Sequence, residues 1–269
     1  MLDFVRPGHL GLALAANRIV LVQQRGGGKG SKGRSTVMGQ WQGEPTAQAA
    51  SDLPKHLANV LSTAGVSKQP LRVVLADALV RSWTVQPPTN ASRLQDCEAA
   101  AAMRFSAVFG DSPADWLIRA DYDARHAFLA CALPRALLAA LQQVWQAQDL
   151  HLLSLEPECV ALWNHWQRSL PDQAWFGICA DDALLLGVVV AGRLQGTRRL
   201  PFNGPESRKS DWLERALQRE AARLNLPEPK ALGLCGKVSS EWTGLHPRGL
   251  RCTVMGNVCD ATSLFGVAP

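Results

Sequence analysis

The densest run of chemically capable side chains is "QRGGGKGSKGR", residues 24–34, where Arg25, Lys29, Lys32 and Arg34 are interleaved with glycine. Glycine lets backbone amides approach an anion and the cations would neutralise it, so the stretch invites a phosphate-loop reading. That motif requires a glycine, four residues, then Gly-Lys followed by Ser or Thr, with a helix behind it. Here Lys29 is followed by Gly30, Lys32 follows Ser31, and "STVMGQWQG" has no helical periodicity. A nucleic-acid arm is the other chemical option for residues 25–34, making phosphate contacts but offering no aromatic on which a base could stack. The plainest reading is a solvated hairpin tip.

Cys235, His246, Cys252 and Cys259 are the ligand types that come nearest to a metal set, but their spacing matches no zinc pattern, and alternation within strands favours packing in a core. No metal is therefore expected. A serine nucleophile would sit in Gly-x-Ser-x-Gly, which does not occur. His126 and His165 lie beside apolar residues and read as core or surface histidines without a carboxylate at helical spacing. Nine tryptophans against one tyrosine are the remaining oddity. Trp145, Trp163, Trp166 and Trp212 fall on helical patterns and read as core. Trp41, Trp83 and Trp116 fall on strand patterns and, with Arg81, are candidates to line a partner's groove, since aromatics and arginine are favoured at interface centres.

These residues must be held by a chain of 269 residues, 47% hydrophobic, with a net charge of +5 spread along it. That is enough for one large domain or two lobes. The modest basic excess hints at an acidic partner or a membrane surface. Seven cysteines, an odd number set mostly in apolar runs, fit reduced thiols better than a disulfide framework. The longest apolar run, 183–192, is half the length needed to span a bilayer. Near the start, "LGLALAAN" after Arg6 mimics a short signal segment, but Asp3 weakens the basic flank and the run reads as a buried strand.

Strand patterns at 10–15, 18–24 and 35–42 predict a three-stranded antiparallel meander. Leu53, Leu57, Val60, Leu61 and Ala64 then share one face of a helix capped by Ser51 and ended by Gly65. "LRVVLA" and "LVRSWTVQPP" read as a further strand pair, stopped by Pro87 and Pro88. An alanine-rich helix started by Ser92, strands 116–122 and 126–132, a helix from 134, strand 151–155 and a helix over 158–168 follow. A boundary near 170 precedes a second meander, a helix from Ser210 to Leu224, strands 231–235 and 250–255, and an apolar tail. Two meander-then-helix lobes imply an internal duplication.

The middle of the chain carries a family resemblance. "VVLADALVRSWTVQPP", "CEAAAAMRFSAVFG" and "HAFLACALPRALLAALQQVWQAQDLHLLSLEPECVALW" resemble, in order and spacing, the PilM-type proteins of type IV pilus assembly and competence systems. The cytoplasmic domain of GspL-type secretion proteins is similar too. The matching positions are Arg81 and Trp83, Glu98 and Arg104-Phe105, and Leu155-Glu156-Pro157. The resemblance implies an α/β fold with two actin-like, ribonuclease H-like lobes. The first lobe would comprise 1–67 and 148–170, an inserted α+β subdomain 68–147, and a reduced second lobe 171–269.

An actin-like ATPase needs an aspartate ending the first strand, a second aspartate-glycine turn opening the second lobe, and a glycine run under the adenosine. The matching positions hold Ala13 and Ala15 beside Asn17, then Asp181 and Asp182 without a glycine between the strands, and Cys235-Gly236. Only one helix separates the second meander from strand 231–235, where nucleotide-holding members have a further subdomain. The expectation is a degenerate nucleotide site, no cofactor and no catalysis, with an active ATPase and a nucleic-acid binder as the alternatives. The resemblance further implies a cytoplasmic scaffold, peripheral to the inner membrane, gripping the cytoplasmic tail of a bitopic PilN-like partner between the first lobe and the inserted subdomain.

Overall fold

Two sheets built to one plan carry the chain. In this computed structural model, residues 8–25, 34–44, 48–171, 174–180, 182–256, 258 and 260–267 are described. The first lobe opens with β1 (His9–Ala15), β2 (Arg18–Arg25), β3 (Arg34–Gln42), helix α1 (Ala49–Ala64) and β4 (Pro70–Leu75). Next come β5 (Arg81–Val85), α2 (Leu94–Phe109), β6 (Trp116–Ala120), β7 (Phe128–Pro134), α3 (Arg135–Ala147), β8 (His151–Pro157) and α4 (Glu158–Trp166). The second lobe holds β9 (Ala174–Cys179), β10 (Ala183–Val190), β11 (Arg193–Pro201), α5 (Ser210–Leu224), β12 (Ala231–Gly236), β13 (Gly244–Leu245), β14 (Arg251–Val254) and α6 (Ala261–Leu264).

The first sheet has the order β3-β2-β1-β4-β8 and the second β11-β10-β9-β12-β14-β13. Each is an antiparallel meander continued by two parallel strands, which is the duplication read from the sequence. β9 is buried at every position and β10 at most, as strands covered on both faces must be. In the first lobe Leu53, Leu57, Val60 and Leu61 of α1 pack with Leu10, Leu12 and Leu14 of β1. Gly65, at φ +62°, ends α1 in the left-handed conformation. In the second lobe α5 buries Leu213, Ala216, Leu217 and Ala221 at helical spacing.

The inserted subdomain is smaller than 68–147. β4 pairs in parallel with both β1 and β8, and Leu141 and Trp145 of α3 pack in the first lobe's core. The insertion is therefore the sheet β5-β7-β6 with α2, around Trp83, Phe105 and Phe128. Nor do β4 and β5 form a hairpin: a run buried as heavily as "PLRVVL" is an inner parallel strand, while β5 pairs with β7.

Two caps also differ. The N-cap of α1 is Gln48, whose carbonyl accepts from Ser51 Oγ at 2.7 Å. That of α2 is Arg93, with the Asp96 carboxylate accepting from the amides of Ser92 and Arg93. The apolar tail is a helix: α6 crosses to the first lobe, where Ala261 and Phe265 cover Ala13, Val20, Val22 and Val74.

Candidate functional site: a groove between two strand edges

A cavity of about 470 Å³ opens where the inserted subdomain, the first lobe and the β10–β11 turn meet. One wall is Arg119, Ala120 and Asp121 at the end of β6; the other is Leu155, Glu156 and Pro157 of β8. Both strands are terminal in their sheets, so each presents backbone N–H and C=O groups without a ladder partner. The floor is apolar, from Leu129, Val160, Trp163 and Leu194. β8 also exposes Leu152 (41%) and Leu153 (60%), unusual for leucine on a strand edge.

Charge closes one end. Arg193, on the second lobe's turn, donates to Asp121 at 2.6 Å and pairs with Asp123. Asp123 also accepts from the backbone amides of Arg125 and His126, which, with the Arg125 amide foremost, hold its carboxyl well below the usual carboxylate range. His126 thus does meet a carboxylate, three residues back, its Nδ1 at 3.3 Å from Asp123. This corrects the reading of His126 as lacking one.

Arg81, Trp83 and Trp116 come together, but inside the inserted subdomain rather than along the groove. The Arg81 guanidinium lies 4.3 Å from the Trp116 ring centroid and 4.8 Å from that of Phe109, and pairs with Asp111. Trp83 is 5% exposed and packs on Phe105 and Phe109. Trp41 stands apart on β3, stacked on His56 at 3.9 Å. None of the four borders this groove. The residues that do border it, Ala120, Val160 and Arg193 among them, carry no local motif; only Leu155-Glu156-Pro157 of β8 stood among the positions singled out in the sequence.

The strand ends that the resemblance would set against a nucleotide are engaged in other contacts. Ala13 is buried beneath α6, and Ala15 pairs with Arg18 across the two-residue turn Ala16-Asn17. Asp182 is exposed and bound to Arg199 at 2.6 Å; Asp181 lies outside the described residues. Cys235 is fully buried. Gly236 has φ +91°, and a Cβ there would lie 2.3 Å from the Cys179 carbonyl oxygen, so this glycine lets the ends of β12 and β9 touch. Arg208 bridges the same corner, donating to Ala180 O and Lys237 O. The nearby acids Asp77 and Glu158 are each engaged by a backbone amide, of Cys159 at 3.3 Å and Ala261 at 2.6 Å. Burial raises both carboxyls, Glu158 to about 7. Among the described residues, this is not a set that fits a metal-bound triphosphate.

Three of the four metal-ligand candidates, Cys235, His246 and Cys252, lie among the described residues. His246 Nε2 donates to Trp242 O at 3.0 Å, and Nδ1 faces Glu214 at 3.6 Å. Among the described residues no group of three His, Cys, Asp or Glu converges on a cation position; Cys259 lies outside them, as do Lys29 and Lys32 of the glycine loop. No helix among the described residues is long and apolar enough to cross a membrane.

No protein-family model matches the chain, and no curated protein sequence does. Solved structures do. A Bacteroides thetaiotaomicron protein with an actin-like ATPase fold and unknown function shares 11% identity over 99% of both chains, with a TM-score of 0.60. A PilM–PilN type IV pilus biogenesis complex shares 14% identity, covering 96% of this chain and 86% of the other, at TM-score 0.56. The cytoplasmic domain of EpsL, an inner-membrane component of the Vibrio cholerae type II secretion system, shares 11% identity over 96% and 93% at TM-score 0.59. The resemblance seen in the middle of the sequence thus extends along nearly the whole backbone, and the chain has the two-lobed actin-like ATPase fold.

Proposed function

We propose that the protein is a non-catalytic scaffold of a type IV pilus-like assembly or secretion machine, which holds an extended tail of a PilN-like inner-membrane partner in the groove between β6 and β8. The observation that carries this reading is the pair of unpaired strand edges walling one apolar-floored cavity. An extended peptide satisfies such an edge with its backbone and fills the floor with alternate side chains. The fold shared with the PilM–PilN complex and the EpsL cytoplasmic domain supports the choice of partner and machine. On this reading the protein works on the cytoplasmic face and reaches the membrane through that partner.

The test is a titration with a synthetic cytoplasmic tail of a PilN-like inner-membrane protein. Saturable binding is expected, lost in Val160→Arg, which puts a charge on the floor, and kept in Val37→Lys on the exposed far edge of the first sheet. Binding that ignores Val160→Arg sinks the groove assignment.

A further inference from the structure

A second cavity, of about 530 Å³, lies between the inserted subdomain and the second lobe and shares no lining residue with the groove. Its walls bring three arginines from three elements: Arg104 of α2, Arg198 of β11 and Arg223 of α5. Among the described residues one carboxylate answers them. Glu220, with an 8% exposed side chain, takes Arg223 Nε at 2.8 Å on one oxygen and Arg198 Nε at 3.5 Å on the other. Both arginines meet this carboxylate through Nε, and among the described residues no hydrogen bond from their terminal Nη groups is formed. Arg104 makes no hydrogen bond or ion pair among them either. Trp83, which also lines the cavity, carries a buried indole N–H without a partner. Gln86 and Thr197 add further donor capacity.

The space is fixed by close packing beside it. A Cβ on Gly196 of β11 would lie 2.5 Å from Thr84 Oγ1 of β5, so the two units touch there and the cavity is walled by both. Three guanidinium groups against one carboxylate, which two of them share, leave a net positive, donor-rich pocket. Planar guanidinium forks match oxyanions in geometry as well as charge.

We propose that this cavity binds a multiply charged oxyanion of the phosphate or pyrophosphate class, which would bridge the inserted subdomain to the second lobe. The anion could belong to a soluble molecule or to a phospholipid headgroup, and the two sources are separable.

Calorimetric titration of the intact protein with pyrophosphate at low ionic strength is the test, with the Trp83 indole N–H cross-peak, identified by its loss in Trp83→Phe, as a reporter of position. Saturable binding is expected, weakened roughly tenfold in Arg104→Gln and in Arg198→Gln, with a shift of the Trp83 signal. Arg104 is exposed and unpaired, so its variant tests the site without threatening the fold. Co-sedimentation with phosphatidylglycerol but not phosphatidylcholine vesicles, sensitive to the same variants, would assign the headgroup source. Pyrophosphate binding without vesicle binding would assign the soluble one. No binding of either probe, or binding indifferent to both substitutions, overturns the proposal.

Discussion

Arg193 of the second lobe holds Asp121 and Asp123 of the inserted subdomain in a single grip, the Asp121 contact measuring 2.6 Å. The pair forms one end of the groove between β6 and β8, so the grip fixes how β6 stands against the second lobe. Arg193→Ala is expected to raise amide hydrogen exchange across residues 121–126 and to weaken tail binding. Because Arg193 and Asp121 are partly solvated, the loss of stability should be slight. Unchanged exchange there would show that the subdomain is held by packing of β5 and β7 on β11 instead.

Gly11 is a second contact point between distant segments. A Cβ on it would lie 2.5 Å from the Phe265 ring. Gly11→Ala should destabilise by about 1–3 kcal/mol through overpacking. Phe265→Ala should be destabilising by itself but should relieve the clash, so the double variant should lose less than the sum. Strict additivity in a denaturant cycle would contradict the packing described.

Glu158 makes stability depend on pH. Burial first, then the charge of Asp77, lift its carboxyl from 4.5 to about 7. The folded state therefore holds a proton that the unfolded state releases, so this contribution is complete below the unfolded value and is lost as pH rises through the folded one. Melting temperature should fall between about pH 5 and about pH 7 by an amount equivalent to at most about 3 kcal/mol. Glu158→Gln keeps an acceptor for the Ala261 amide and should flatten the slope. An identical slope in that variant would move the effect to Asp77, whose carboxyl burial also raises.

Mg-ATP is expected to give neither heat nor thermal stabilisation. The reason is local: on the family resemblance Ala13 and Ala15 would take the place of a metal-organising carboxylate, and Arg208 ties the Ala180 and Lys237 carbonyls together. Micromolar binding would reopen an ATP-driven switch.

Local periodicity exposed the elements well and their partners poorly. α5 falls on Ser210–Leu224 as read, because Leu213, Ala216, Leu217 and Ala221 repeat at helical spacing and Asn225 ends the run in a left-handed turn. β4 and β5 misled because neighbours in sequence usually pair, while burial on both faces, which marks β4 as an inner strand, is a property of the whole sheet. α3 gave no sign of which lobe its Leu141 and Trp145 would enter. The groove was foreseen only as a place between two units. Its lining is assembled from the ends of β6, β8 and β11 together with β7 and α4, and no local pattern brings Ala120, Val160 and Arg193 together.

The crossing of α6 onto the first lobe bears on synthesis. Val20, Val22 and Val74 are made early, yet their cover, Ala261 and Phe265, is made about 190 residues after Val74. A ribosome-bound chain must carry that apolar face uncovered while the entire second lobe is translated, so the first lobe can collapse early but is sealed late. Nascent chains stalled before residue 261 should be the ones that chaperones hold.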